Sequence, residues 1–129
     1  MKLKQIKETC IYLRNLTEAK VFYHDKLGLE LIGEVEGRYV FFRIGSAVLL
    51  LFNPDVTKED KKLPQHYAEG SQHLAFEVPP SDYEVWKQKL SAEGIAIIHE
   101  QSWQKGLKSF YFHDVAGNLL EIVPEGIWD

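Results

Sequence analysis

Alternating apolar and polar positions divide the chain into two similar stretches. Glu8–Arg14 (ETCIYLR) places Thr9, Ile11 and Leu13 on one parity and Glu8, Cys10 and Tyr12 on the other, which predicts a strand. Asn15 and Thr17 then offer capping oxygens, and Ala19, Phe22, Tyr23 and Leu27 recur at helical spacing. A helix is therefore expected over Thr17–Lys26, closed by Gly28. Strands are expected at Leu29–Glu36, Arg38–Ile44 and Ala47–Phe52, joined by tight turns at Gly37 and Gly45-Ser46.

The pattern then breaks and restarts. Asn53–Gly70 is rich in Lys, Asp, Glu and Pro and reads as a linker. Ser71–Val78 reads as a strand and Asp82–Glu93 as a helix, with Tyr83, Trp86 and Leu90 on one stripe and Gly94 as its stop. The strands Ile95–Glu100, Lys108–His113 and Asn118–Val123 follow. Thr17 matches Ser81 and Phe22 matches Trp86 at one offset of about sixty residues, the mark of an internal repeat. The expected fold is α+β: two βαβββ modules forming cupped mixed sheets around a central cavity. The modules cover about 1–53 and 71–129, with a linker at 54–70, in a single domain of residues 1–129.

Composition narrows the function classes. The chain of 129 residues carries a formal net charge of −4 and no dense Lys/Arg stretch, which argues against a nucleic-acid partner. No apolar run is long enough to span a membrane, and MKLKQIKE lacks the apolar core of a secretory signal. Cys10 is the only cysteine, so no intrachain disulfide forms and a cytoplasmic location is the default expectation.

Strand parity singles out three ionisable residues. In QHLAFEV, Leu74, Phe76 and Val78 share the face expected to meet the helices, and His73 points the other way with Ala75 and Glu77. In NLLEIV, Glu121 lies with Leu119 and Val123, opposite Leu120 and Ile122. A carboxylate inside such an apolar run must be paired, protonated or bound to a cation. Glu8 and His73 are near-equivalents in the repeat, and the counterpart of Glu121 is Leu50. Read alone, such residues are also ordinary hydrogen-bonded strand groups. His24, His66, His99 and His113 have no clear partners in the pattern, and Cys10 reads first as a small buried apolar residue.

The segments ETCIYLRNLTEAKVFYHDKLGLEL, SQHLAFEV and SFYFHDVAGNLLEIV make the chain resemble the vicinal oxygen chelate superfamily. That superfamily includes glyoxalase I, fosfomycin-resistance proteins, bleomycin-binding proteins and extradiol dioxygenases. The resemblance covers nearly the whole chain, and the closing Pro-Glu-Gly-Ile-Trp-Asp is similar to a bacterial subgroup. It implies a divalent metal held by Glu8, His73 and Glu121, a small-molecule ligand, and a homodimer in which one site can take residues from both chains. Two carboxylates and an imidazole suit Mn²⁺, Fe²⁺, Ni²⁺ or Zn²⁺. Ser109 and Tyr111 fall where fosfomycin-resistance proteins hold their substrate, and Cys10 where some members carry a catalytic Thr. Tyr111 and Cys10 are thus the candidate catalytic groups, and Ser109, Tyr111, Tyr12, Arg43 and Trp103 the candidate substrate contacts. Leu50 stands where glyoxalase I has a fourth ligand. The expected activity is that of a metal-dependent lyase, isomerase or thiol transferase acting on a small oxygen-rich or electrophilic molecule. The alternative is a non-catalytic protein that sequesters its ligand in a dimer groove.

Overall fold

Parity decides which side chains each strand buries, and the computed structural model, which describes residues 1–129, follows it closely. Two compact units are present, Met1–Glu69 and Gly70–Asp129. In the first, β1 (Glu8–Tyr12), β2 (Glu30–Val35), β3 (Tyr39–Ile44) and β4 (Ala47–Phe52) form one sheet in the order β1-β4-β3-β2. β1 runs parallel to β4, and the remaining pairs are antiparallel. Ile11 and Leu13 are buried under the helix-bearing face, while Cys10 and Tyr12 are half-buried on the other.

The first helix departs from a regular 3.6-residue repeat. α1 (Leu16–Lys20) is capped by the Asn15 side chain, which accepts from the Glu18 N–H at 3.0 Å. The chain then widens into a π-helical stretch, Val21–Lys26. The wider turn still buries Ala19, Phe22, Tyr23 and Leu27, so the apolar stripe survives the change in pitch. His24, without a clear partner in the sequence pattern, is partly buried, with Nδ1 2.7 Å from the Leu29 carbonyl. The linker holds one short helix, α2 (Pro54–Thr57), built on Asn53 as its cap. Arg14 fastens this segment to the sheet, pairing with Asp55 at 2.9 Å and Glu69 at 2.5 Å.

The second unit repeats the order. β5 (His73–Val78), β6 (His99–Ser102), β7 (Lys108–His113) and β8 (Leu119–Pro124) form the sheet β5-β8-β7-β6, again with first and last strands parallel. Even the register repeats: Cys10 lies opposite Leu50, and Ala75 opposite Glu121, each two residues past Glu8 and His73 respectively. α3 (Tyr83–Ala92) covers one face through Tyr83 and Leu90. β6 begins later than the periodicity suggested. The Ile95 N–H closes the helix by donating to the Leu90 carbonyl at 2.9 Å, so this stretch first serves as a helix stop. No helix is long and apolar enough to cross a membrane.

Candidate functional site

The β7–β8 connection sets the geometry of the second unit's sheet. Asp114 is buried, and its Oδ1 accepts from the N–H groups of Ala116 (2.8 Å) and Asn118 (2.9 Å). Its Oδ2 accepts from the Asn118 side-chain amide at 3.0 Å. Gly117 takes φ 81°, which a side chain would resist, and completes the turn. Asn118 reaches across to β5, accepting from the Gln72 N–H at 3.0 Å, while the Leu119 N–H donates to the Gln72 carbonyl at 2.7 Å. The residue next to Gln72 is His73, and two residues past Leu119 is Glu121. The turn therefore fixes the relative height of these two side chains.

His73 and Glu121 are brought together. His73 Nδ1 lies 2.8 Å from the Leu119 carbonyl. A carbonyl only accepts, so Nδ1 carries a proton, and in the neutral ring Nε2 is the nitrogen with the lone pair. That nitrogen faces Glu121 Oε1 at 3.3 Å. Glu121 is 7% exposed, buried within its strand as its apolar neighbours required. Two acceptors at this distance repel unless a proton or a cation lies between them. An imidazole whose distal N–H is held by a backbone carbonyl is the usual posture of a metal ligand, so the pair fits a divalent cation.

Tyr111 sits directly across from Glu121 in the ladder, with its ring 6.2 Å from that of His73. Burial pushes its phenol pKa up and the neighbouring Glu121 carboxylate adds to this, while Ser109 acts in the opposite sense. The phenol therefore stays protonated at neutral pH and serves as a hydrogen-bond donor. Ser109 is fully buried, and its Oγ accepts from Trp103 Nε1 at 2.8 Å. A cavity of about 380 Å³ opens over His73, Glu121 and Tyr111, walled by Trp103 and Trp128 and floored by Ala75, Val123 and Ile127. Trp128 and Ile127 were not singled out in the sequence. They lie beyond the last periodic strand, and the only hint was an Ile-Trp pair following a Pro-Glu-Gly turn.

The other candidates lie in the first unit. Glu8 is exposed at the start of β1. Nowhere in the chain do three His, Cys, Asp or Glu side chains gather into a metal-binding group. Burial, with a smaller push from Glu8, raises the Cys10 thiol, so it is not a ready thiolate. Tyr12 packs against Phe52 and hydrogen-bonds His66 of the linker. Tyr39 and Phe41 stack at 4.0 Å on the same sheet. Arg43 is exposed on β3, opposite Glu30 of β2.

Comparison with known proteins agrees with this architecture. The model of the Glyoxalase/Bleomycin resistance protein/Dioxygenase superfamily matches residues 5–122. A metallothiol transferase FosB from Staphylococcus haemolyticus is 28% identical over 122 residues, covering 93% of this chain and 83% of that protein. The crystal structure of a lactoylglutathione lyase from Agrobacterium tumefaciens matches with a TM-score of 0.94 and 33% identity, over 98% of both chains. A glyoxalase/bleomycin resistance protein/dioxygenase from Nocardioides shares the fold, with a TM-score of 0.76 at 22% identity, over 98% of this chain and 87% of that one.

Proposed function

Because the chain belongs to the glyoxalase/bleomycin resistance protein/dioxygenase superfamily, we propose that it is a divalent-metal-dependent enzyme acting on a small molecule with adjacent oxygens or an electrophilic carbon. The observation that carries this reading is the His73–Glu121 pair: a backbone-fixed imidazole lone pair facing a buried carboxylate at 3.3 Å. Glu8 is the third ligand in this reading. In a homodimer, as the family resemblance leads one to expect, a second copy would supply it, and the alternative is Glu8 of the same chain. A bound divalent ion would act as a Lewis acid toward the substrate oxygens. Tyr111 donates its retained proton to an oxygen that becomes negative, and Glu121 is buried on the same strand face as Val123. The relatives named lactoylglutathione lyase and metallothiol transferase indicate the two reaction types to screen, a lyase or isomerase and a thiol transfer. In the second of these a small thiol would be the co-substrate, because Cys10 holds its proton.

A second reading, ligand sequestration without chemistry, draws support from the indole walls of the cavity. Metal content separates the two. Untagged protein purified without chelator should contain about one transition-metal ion per chain, and both His73→Ala and Glu121→Ala should lose it. Protein that holds no metal, and takes none up on titration with Mn²⁺, Fe²⁺, Ni²⁺ or Zn²⁺, leaves the sequestration reading in its place.

A further inference from the structure

The linker lays one of its own side chains on the first sheet, at a place the metal reading does not use. Register aligns Tyr12, Phe52 and Tyr39 in one row of this sheet, and Phe41 stacks on Tyr39. All four rings are half-buried. They meet at steep angles, with Phe52 at 61° to Tyr39 and 73° to Phe41. The imidazole of His66 completes the set. Its centroid lies 5.0 Å from that of Phe52 and 5.6 Å from that of Tyr12, at interplanar angles of 83° and 66°. Its Nδ1 and the Tyr12 hydroxyl share a hydrogen bond. His66 thus makes the contacts that a planar nitrogen heterocycle seeks: edge-to-face packing on two rings and a hydrogen bond at a ring nitrogen.

Little holds His66 in this notch. Arg14 draws the two ends of the loop together, donating to Asp55 from Nε at 2.9 Å and Nη2 at 3.0 Å, and to Glu69 from Nη1 at 3.1 Å. These three side chains are about half exposed, and ion pairs in water hold weakly. Between the ends, Asp60 organises the loop from within. Its Oδ1 accepts from the N–H groups of Lys62 and Leu63, and its carbonyl from the Gln65 amide. A loop closed at its neck and bonded internally moves as one piece. His66 is itself exposed, so it can leave the notch without unfolding of the sheet.

We propose that the notch of Tyr12, Phe52 and Tyr39 is a binding site for a free, small, planar nitrogen heterocycle, and that His66 is its tethered occupant, which a ligand must displace. The Tyr12 phenol selects a ring nitrogen with a lone pair, and the steeply set rings select flatness. Ligand and His66 compete for one place, so binding releases the loop, and whatever loosens the loop favours the ligand. This site is independent of the metal reading and stands or falls without it.

The test uses imidazole as the probe, with the full chain stripped of metal by chelator so that coordination at His73 and Glu121 plays no part. Ring-proton NMR signals of Tyr12 and Phe52 report on the notch. His66→Ala should bind imidazole with shifts at these rings, about tenfold more tightly than wild type, which must first expel its own side chain. Adding Tyr12→Phe should weaken that binding about fivefold, the loss of one hydrogen bond. In wild type, saturating imidazole should speed tryptic cleavage within Lys58–Lys62 about tenfold, and leave His66→Ala, whose loop is already free, unchanged. No shift at Tyr12 and Phe52 in His66→Ala, or equal affinity in the two proteins, overturns the proposal. If His66→Ala loses its native circular dichroism, the wild-type cleavage rate decides, and no acceleration overturns it. Tighter binding of N-acetylhistidine amide than of imidazole would assign the notch to a histidine of another chain and overturn the free ligand.

Discussion

Tyr111 keeps its proton because its phenol is partly desolvated and faces a carboxylate, both of which disfavour the phenolate. A group of this kind stabilises a developing oxyanion without adding charge to the ground state. Tyr111→Phe should lower turnover by about 100-fold, within the usual range for a lost proton donor, and leave metal content unchanged. Loss of metal together with activity would instead make Tyr111 a structural support for Glu121. The raised pKa also sets a direction: any alkaline loss of activity due to this phenol should lie above the ordinary tyrosine value of about 10. At this scale much of the site was legible. Glu121 stood out because period-two alternation leaves a carboxylate among Leu119, Leu120, Ile122 and Val123. The use of Ser109 was not legible, because its partner, Trp103, is brought to it by a loop whose turn depends on a lysine at positive φ.

Among the elements, the β7–β8 turn carries more than its length suggests. Asp114 accepts three hydrogen bonds while buried, and Asn118 links the turn to β5. Asp114→Ala should lower unfolding free energy by about 3 kcal/mol, because it leaves the two buried donors of Asn118 without their acceptor. Urea unfolding would measure this, and a loss under 1 kcal/mol, taking roughly that value as the net worth of one ordinary hydrogen bond, would remove the turn from the list of elements that hold the sheet together. Element order, and most strand positions, followed from alternation and turn residues. Two features did not. The π-helical stretch at Val21–Lys26 keeps its apolar residues inward, so the hydrophobic pattern is blind to the wider turn. The start of β6 at His99 was hidden because Ile95 to Ile98 are apolar like a strand, yet Ile95 is spent closing α3.

On the scale of the whole molecule, the proposed dimer makes the metal site a shared property. A mixture of Glu8→Ala and Glu121→Ala chains tests this. If each site joins Glu8 of one chain to Glu121 of another, a mixed dimer has one site lacking both residues and one intact. Refolding the two variants together should then restore about a quarter of the wild-type metal, since half of the dimers are mixed and each regains one site. A site confined to a single chain would give no recovery. Composition gave no hint of this arrangement, because net charge and length describe a chain and not its assembly.

The matched register of the two sheets has a consequence in evolutionary terms. Cys10 faces Leu50 as Ala75 faces Glu121, and Phe41 pairs with Leu50 as Tyr111 pairs with Glu121. Such correspondence is what a duplicated ancestral half leaves behind. The two copies now differ at the matched position, where Leu50, 9% exposed, stands in the first sheet and the carboxylate of Glu121 in the second. The first sheet carries an aromatic surface, with Tyr39, Phe41 and Phe52 packed ring against ring. In terms of descent, a duplicated half repeats its register without repeating its side chains, so one sheet can present His73 and Glu121 while its twin presents Glu8 beside a cluster of rings.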